Sequence, residues 1–316
     1  MWDGPRDLPP GRSGYDAGPG VPAMLGFGHA LGFGLVTAAL ISLSAVALSL
    51  QYSVTNIVNF AHGEMLTAGA FAAVAFQSVN SNLLLETLVG AAAGAAMAGL
   101  LNWGLLRPFA KQTSRLVILV VVTAAASQLI QGAFGLAFGL NEVVLRTPVQ
   151  LATSYGIFLW TPLDVWIIAA ALVVMLAVHA LLHYTSFGLS QRAVADNATL
   201  AQISGINNRR TVSLTWLITG LLAGGAGVGL AATIGSFTNL IGFNFLLVTF
   251  AAAIVGGIGR VYGAMLGALI IGVVTELAGY YVSSGYKQEF ALLVLLAFLV
   301  FRPWGLLRAH ASAGMA

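Results

Sequence analysis

Asn59, His62 and Glu64 stand close together in a stretch reading NFAHGE, with apolar sequence on both sides. Such a set allows more than one chemistry. An ionisable group inside a membrane is costly and is usually kept for function. His62 and Glu64 could ligate a metal, but such a site needs further ligands and no third one lies nearby, so no metal is expected. A carboxylate near a helix start also complements the helix dipole, which gives Glu64 a structural role with Asn59 as the cap. His179 and His183 share one helix face, and their place near the end of a span favours a surface contact over a metal. Glu276 lies inside an apolar run. A proton relay would need similar groups, and no Asp, Lys or Arg lies mid-span elsewhere, which leaves a hydrogen bond between helices. Cysteine is absent, so thiolate chemistry and disulfides are excluded. There is no G-x-S-x-G nucleophile motif. There is also no phosphate-binding G-x-x-x-x-G-K-[ST], and neither Lys111 nor Lys287 follows a glycine. The chain is not expected to be an enzyme, to hydrolyse ATP itself, or to hold a cofactor.

The elements that position these residues follow from composition. Of 316 residues 59% are hydrophobic and 7% charged, against about a quarter charged in soluble domains. Repeated apolar runs of span length identify an all-α integral membrane protein, because each helix satisfies its own backbone hydrogen bonds in lipid. The net charge of +3 comes from basic residues in loops, a pattern of membrane topology rather than of nucleic-acid binding. Spans are predicted near 26–50, 61–79, 83–106, 116–139, 163–184, 212–233, 244–258, 261–282 and 290–307. The seventh is too short to cross untilted, so eight or nine membrane helices are expected. Gly90 and Gly94, Gly135 and Gly139, and the glycines at 220, 224, 225 and 229 have the small-residue spacing of close helix packing. Residues 1–25 lack the apolar stretch of a signal peptide and are expected as a disordered tail, with Met24 a candidate start. A transmembrane body at 26–309 and a short tail at 310–316 complete the division.

Arg and Lys cluster after the third, fifth, seventh and ninth segments, which puts those loops in the cytoplasm; Lys287 is the main exception. Two polar breaks, at 51–64 and 234–243, each follow a small-residue span and each hold an Asn near a Phe. The halves around them run in opposite directions, as in inverted-repeat transporters whose pathway lies at interrupted helices. The alternative is that any two Gly/Ala-rich spans look alike.

Residues 185–211 form the longest polar segment between spans. Asp196 or Asn197 can cap a short helix over 198–204, with Leu200 and Ile203 on one face and Gly205 as its left-handed stop. Arg209 and Arg210 can meet lipid phosphates at the re-entry point. Such a helix suits insertion into a partner's groove; an ordinary basic surface loop fits the same spacing.

Four segments together resemble one family. IVNFAHGEMLTAGAF (57–71), GLSQRAVADNATLAQISGIN (188–207), FAAAIVGGIGRVYGAMLGALIIGVVTE (250–276) and FRPWGLL (301–307) look like the signatures of permeases from branched-chain amino-acid (Liv-type) ABC importers. The likeness runs in order over about 26–307 and is nearest the smaller of that family's two paired permeases. Urea and short-amide importer permeases share these motifs. The resemblance implies a type II-like importer fold with inverted-repeat halves. It also implies a second permease subunit, two ATP-binding cassette subunits, a periplasmic substrate-binding protein and a multi-pass place in the bacterial inner (plasma) membrane. It makes 185–211 a cytoplasmic coupling loop and carries Arg192, Ala193, Asp196, Ala201, Gly205 and Ile206 into the ATPase contact, beside Leu200 and Ile203. Asn197 stands where the family often has proline. Asn59, His62 and Glu64 at the first break, and Gly256, Gly257 and Gly259 after the second, are the expected pathway residues. An ion-coupled secondary transporter is the other functional class, and it would need Glu64 or Glu276. An intramembrane enzyme would need His62 with Glu64 as its catalytic pair.

Overall fold

Long apolar helix-forming runs dominate the residues that the structure describes, 23–112, 115–148, 150–302 and 304–307. In the computed structural model they form α1 (Ala23–Thr55), α2 (His62–Gln77), α3 (Leu83–Leu100), α4 (Arg107–Gln112), α5 (Leu116–Phe138) and α6 (Pro162–Tyr184). These are followed by α7 (Ser186–Asp196), α8 (Ala198–Ile203), α9 (Asn208–Ile234), α10 (Ile241–Gly256), α11 (Val261–Tyr281) and α12 (Lys287–Phe301). Seven helical segments are long and apolar enough to cross a membrane. The seventh expected span is short, as its length predicts, and the second is short as well: α10 and α2 have 16 residues each, about 24 Å at 1.5 Å per residue. The chain is thus an all-α multi-pass membrane protein, with seven helical segments of span length and the two short helices α2 and α10 among the described residues. The expected tails at 1–25 and 310–316 lie outside the described residues, except that α1 already includes 23–25.

Local signals explain several ends. Thr161 and Asp164 form a reciprocal capping box at the start of α6, with Pro162 in its first turn. The expected loop at 141–161 carries short pairings: β1 (Val143–Val144) lies antiparallel to β4 (Ser236–Phe237), and β2 (Thr153–Tyr155) to β3 (Phe158–Trp160). These pairings satisfy backbone groups that a plain loop would leave open. Beyond α3 the helix widens to a π-helical turn over Leu101–Leu106. There Asn102, Trp103 and the following Arg107 all reach Ser213 on α9.

The basic residues gather at one end. Arg107 donates to the Arg209 carbonyl, Gln191 of α7 reaches Ser53 at the end of α1, and Leu306 N–H donates to Val255 at the end of α10. The far end holds the 139–161 segment, the 235–240 break and Lys287. α1 finishes at the basic end while α9 starts there, so the two run in opposite directions.

Exchanging α1 with α9, α2 with α10 and α3 with α11 maps the main packing pairs onto one another: α1 with α11 corresponds to α9 with α3, and α2 with α9 to α10 with α1. Glycines make the closest approaches, as expected where lipid removes the hydrophobic drive between helices. A Cβ on Gly94 would strike the Gly220 carbonyl, and one on Gly224 the Gly90 carbonyl. The similar spacing at Gly135 and Gly139 does other work: Gly139 (φ 86°) ends α5 and has open space around it.

Candidate functional site

The interior crossing is built by the two short helices. Gly63 is the second residue of α2 and Gly242 the second residue of α10, and their backbones touch; a side chain on either would strike the other's carbonyl. From that crossing α2 runs to the far end, where Gln77 donates to the Arg146 carbonyl. α10 runs to the basic end. Phe60 of the first break packs edge-on to Phe250 of α10 at 5.3 Å, and Phe237 beside the second break packs edge-on to Phe71 of α2 at 5.4 Å.

Asn59, His62 and Glu64 are all buried at this crossing. Asn59 does not cap α2, whose N-cap is Ala61. Its Oδ1 instead accepts from Ala61 N–H at 3.0 Å and its Nδ2 donates to Gln51 at 2.9 Å, so it holds the turn that precedes the helix. His62 Nε2 meets Ser44 Oγ at 3.3 Å, and Thr249 of α10 lies 3.0 Å from the same hydroxyl. His62 therefore ties α2 to both α1 and α10. Glu64 sits in the first turn of α2, and its Oε1 accepts from Ser127 Oγ (2.8 Å) and Gln131 Nε2 (2.9 Å) of α5. Among the described residues no group of three His, Asp or Glu side chains could hold a metal. The Glu64 carboxylate is hydrogen-bonded by neutral side chains, those of Ser127 and Gln131.

One stripe was missed in sequence. Thr123, Ser127 and Gln131 recur every four residues along α5 and are all buried. Thr123 accepts from Phe60 N–H (3.1 Å), Ser127 and Gln131 bind Glu64, and the Gln131 carbonyl accepts from Asn239 Nδ2 (3.0 Å). This stripe joins both breaks to one helix. Its only sequence signal is three polar residues at helical spacing in an otherwise apolar span. His62 Nδ1 and Gln51 Nε2 are buried without a hydrogen-bond partner among the described residues, a state that costs about 1–3 kcal/mol per group.

Gly256, Gly257 and Gly259 form the corner between α10 and α11, with Gly257 and Gly259 at positive φ. Gly259 abuts Tyr52, next to the Gln51 that holds Asn59. The corner therefore closes on the basic end of the first break, while His62 and Glu64 lie further in. Glu276 makes the expected hydrogen bond between helices, accepting from Thr37 of α1 on Oε1 at 2.9 Å, and it also has a charged partner, Lys287, whose Nζ lies 2.7 Å from Oε2. The turn between α11 and α12 folds Lys287 back, which linear inspection of spans does not show.

At the basic end, 185–211 holds two helices, α7 and α8. Thr185 caps α7 through Gly188 N–H, and Arg192 donates to the Leu182 carbonyl, tying α7 to α6. Asp196 ends α7, where the Ala193 carbonyl accepts from Asn197 N–H. Asn197 is the cap of α8, accepting from Leu200 N–H at 2.9 Å. Gly205 (φ 87°) ends α8 with two bonds, Gly205 N–H to Gln202 and Ile206 N–H to Ala201, the pattern that closes a helix on a left-handed residue. Ala201 is buried beneath, while Leu200 and Ile203 are 60% and 78% exposed. Two apolar side chains thus face outward on a rigid, doubly stopped helix of six residues.

Residues 30–302 match the family model described as "Branched-chain amino acid transport system / permease component". The chain is 28% identical over 284 residues to a probable branched-chain amino acid transport permease protein LivH of Methanocaldococcus jannaschii, covering 86% of this chain and 90% of that protein. It is 28% identical over 289 residues to the high-affinity branched-chain amino acid transport system permease protein LivH of Escherichia coli, covering 87% and 93%. A shorter match, 33% over 150 residues, links it to the Escherichia coli ribose import permease protein RbsC, over 45% of this chain and 46% of that one. No solved structure matches the chain at a significant level.

Proposed function

Since the chain belongs to the permease-component family of branched-chain amino-acid transport systems, we propose that it is a transmembrane permease subunit of an ATP-driven ABC importer. It moves branched-chain or related amino acids across the bacterial inner membrane, together with a second permease subunit, two ATP-binding cassette subunits and a periplasmic substrate-binding protein. The family match over nearly the whole membrane body carries this proposal, and the geometry of α8 supports it. The basic end faces the cytoplasm by the distribution of Arg and Lys. α8 there presents Leu200 and Ile203 outward on a helix held at both ends, the form of a small rigid knob for a partner's groove. Arg192, Ala193, Asp196, Ala201, Gly205 and Ile206 then build and orient the knob, and Arg209 and Arg210 flank it near lipid headgroups. α7 packs on both α1 and α9, so a push on α7–α8 reaches the long helices that enclose the crossing. Asn59, His62 and Glu64, with the Gly256–Gly259 corner, lie along the pathway that this movement opens to each side in turn.

The assembled importer in proteoliposomes tests this. Deleting 197–205 should leave the chain inserted but abolish ATP-driven leucine uptake. Leu200→Asp with Ile203→Asp should release the ATP-binding subunits on purification. Retained uptake in the deletion variant would refute α8 as the coupling element. Import of urea in place of leucine by the unmodified complex would assign the chain to amide transport.

A further inference from the structure

At the far end of the bundle, beside the second break, a cavity of about 460 Å³ lies between α9, α10, α11 and the start of α12. Its size falls in the range of small-molecule sites, about 300–1,000 Å³. The walls from α9 and α10 are largely apolar, with Ile234, Ile241 and Phe245 among them; Glu276 and Lys287 line the other side. Phe245 also packs against all three apolar clusters of the interior, and Leu230, Phe237 and Ile241 of the lining belong to one of them. The paired charges differ in freedom, and a third charged residue, the exposed Glu142, also lines the cavity. Glu276 is largely buried on α11 and held by Thr37. Lys287 is 35% exposed at the head of α12, its stem lying across Gly279, where any side chain would displace it. Lys287, like Arg146, is a basic residue at the far end, away from the basic cluster.

We propose that this cavity recognises a free amino acid as a zwitterion, an inference that rests on the amino-acid importer assignment above. Glu276 takes the α-ammonium and Lys287 the α-carboxylate, so that the ligand exchanges one internal charge-assisted contact for two of its own. The aliphatic side chain lies against Ile234, Ile241 and Phe245. An uncharged solute such as urea or a sugar offers nothing to replace the ion pair it would separate.

The test uses the assembled importer in proteoliposomes with saturating binding protein and leucine, and compares two variants, the charge swap E276K/K287E and Ile234→Trp. The swap keeps the ion pair but inverts it relative to the aliphatic wall; the Trp substitution, at a lining residue 54% exposed, fills the cavity and leaves the pair intact. Both should lower leucine uptake about ten-fold or more, equivalent to one tenfold step in binding. Assembly by size exclusion should be unchanged for Ile234→Trp, so the proposal stays testable if the swap does not assemble. Uptake within about two-fold of the unmodified complex in either assembled variant overturns the site. If the unmodified complex imports urea or a sugar and no amino acid, the importer assignment fails and the zwitterion site with it. If it imports leucine and the variants do so equally well, only the site fails.

Discussion

The two breaks use one backbone device and load it with different chemistry. In each, a long helix stops, a short irregular stretch turns inward, and a 16-residue helix starts beside a glycine at its second position. The tenth residue of each short helix is a phenylalanine, Phe71 or Phe250, and each takes the edge of a ring from the opposite break. Yet the first break is polar and tightly bonded, with Glu64 held by Ser127 and Gln131 and Asn59 held by Gln51. The second has no ionisable side chain, its Asn239 donates to the Gln131 carbonyl, and its helix faces a cavity through Ile241, Asn244 and Phe245. The contrast shows that the repeated feature is packing, which both halves need to close on each other. Chemistry is free to diverge, because one copy can anchor the crossing while the other leaves room.

The strongest way to break this picture is at the shared point. Gly63→Val and Gly242→Val each put a side chain into a backbone that cannot move away, whereas Gly225→Val meets nothing within 4 Å. Folded yield in detergent should collapse for the first two and hold for the third, because overpacking costs about 1–3 kcal/mol or more. Equal yields for all three would mean that the crossing does not hold the halves together.

A smaller effect separates the two breaks by chemistry. Glu64→Ala removes the shared acceptor of Ser127 and Gln131 and should cost about 1–3 kcal/mol. Asn244→Ala, exposed at the matching helix, should stay within about 0.5 kcal/mol. Melting temperatures in nanodiscs read the difference, and similar losses would erase the distinction between the breaks. The smallest effect compares the two rings. Phe250→Leu loses its contact with Phe60 and should cost about 0.5–1.5 kcal/mol, while Phe71→Leu should cost more, because Phe71 also packs on Phe134 and Phe138 of α5. Equal losses would show that the α5 rings add nothing to the crossing.

Much of the molecule was legible before the structure. Long apolar runs announce membrane helices because lipid demands them. The cap at Asn197 and the stop at Gly205 are readable because capping links residues only a few positions apart. The motifs around 57–71 and 188–207 carry the family, which the match over 30–302 confirms. The role of Asn59 was less legible, since whether an Asn caps a helix or turns the chain before it depends on where the helix starts. The same holds for α2 and α10, whose lengths depend on how far each break dips inward.

The sequence by itself determined the membrane class, the approximate spans and the short capped helix at the basic end. Tertiary structure alone decided that Gly63 meets Gly242, that Glu64 is held from α5, and that Lys287 folds back onto Glu276. The physical reason is the solvent. In lipid an apolar surface gains little by turning inward, so hydropathy does not say which helix faces meet. Close backbone contact and a few buried hydrogen bonds decide it, and their partners lie far apart along the chain.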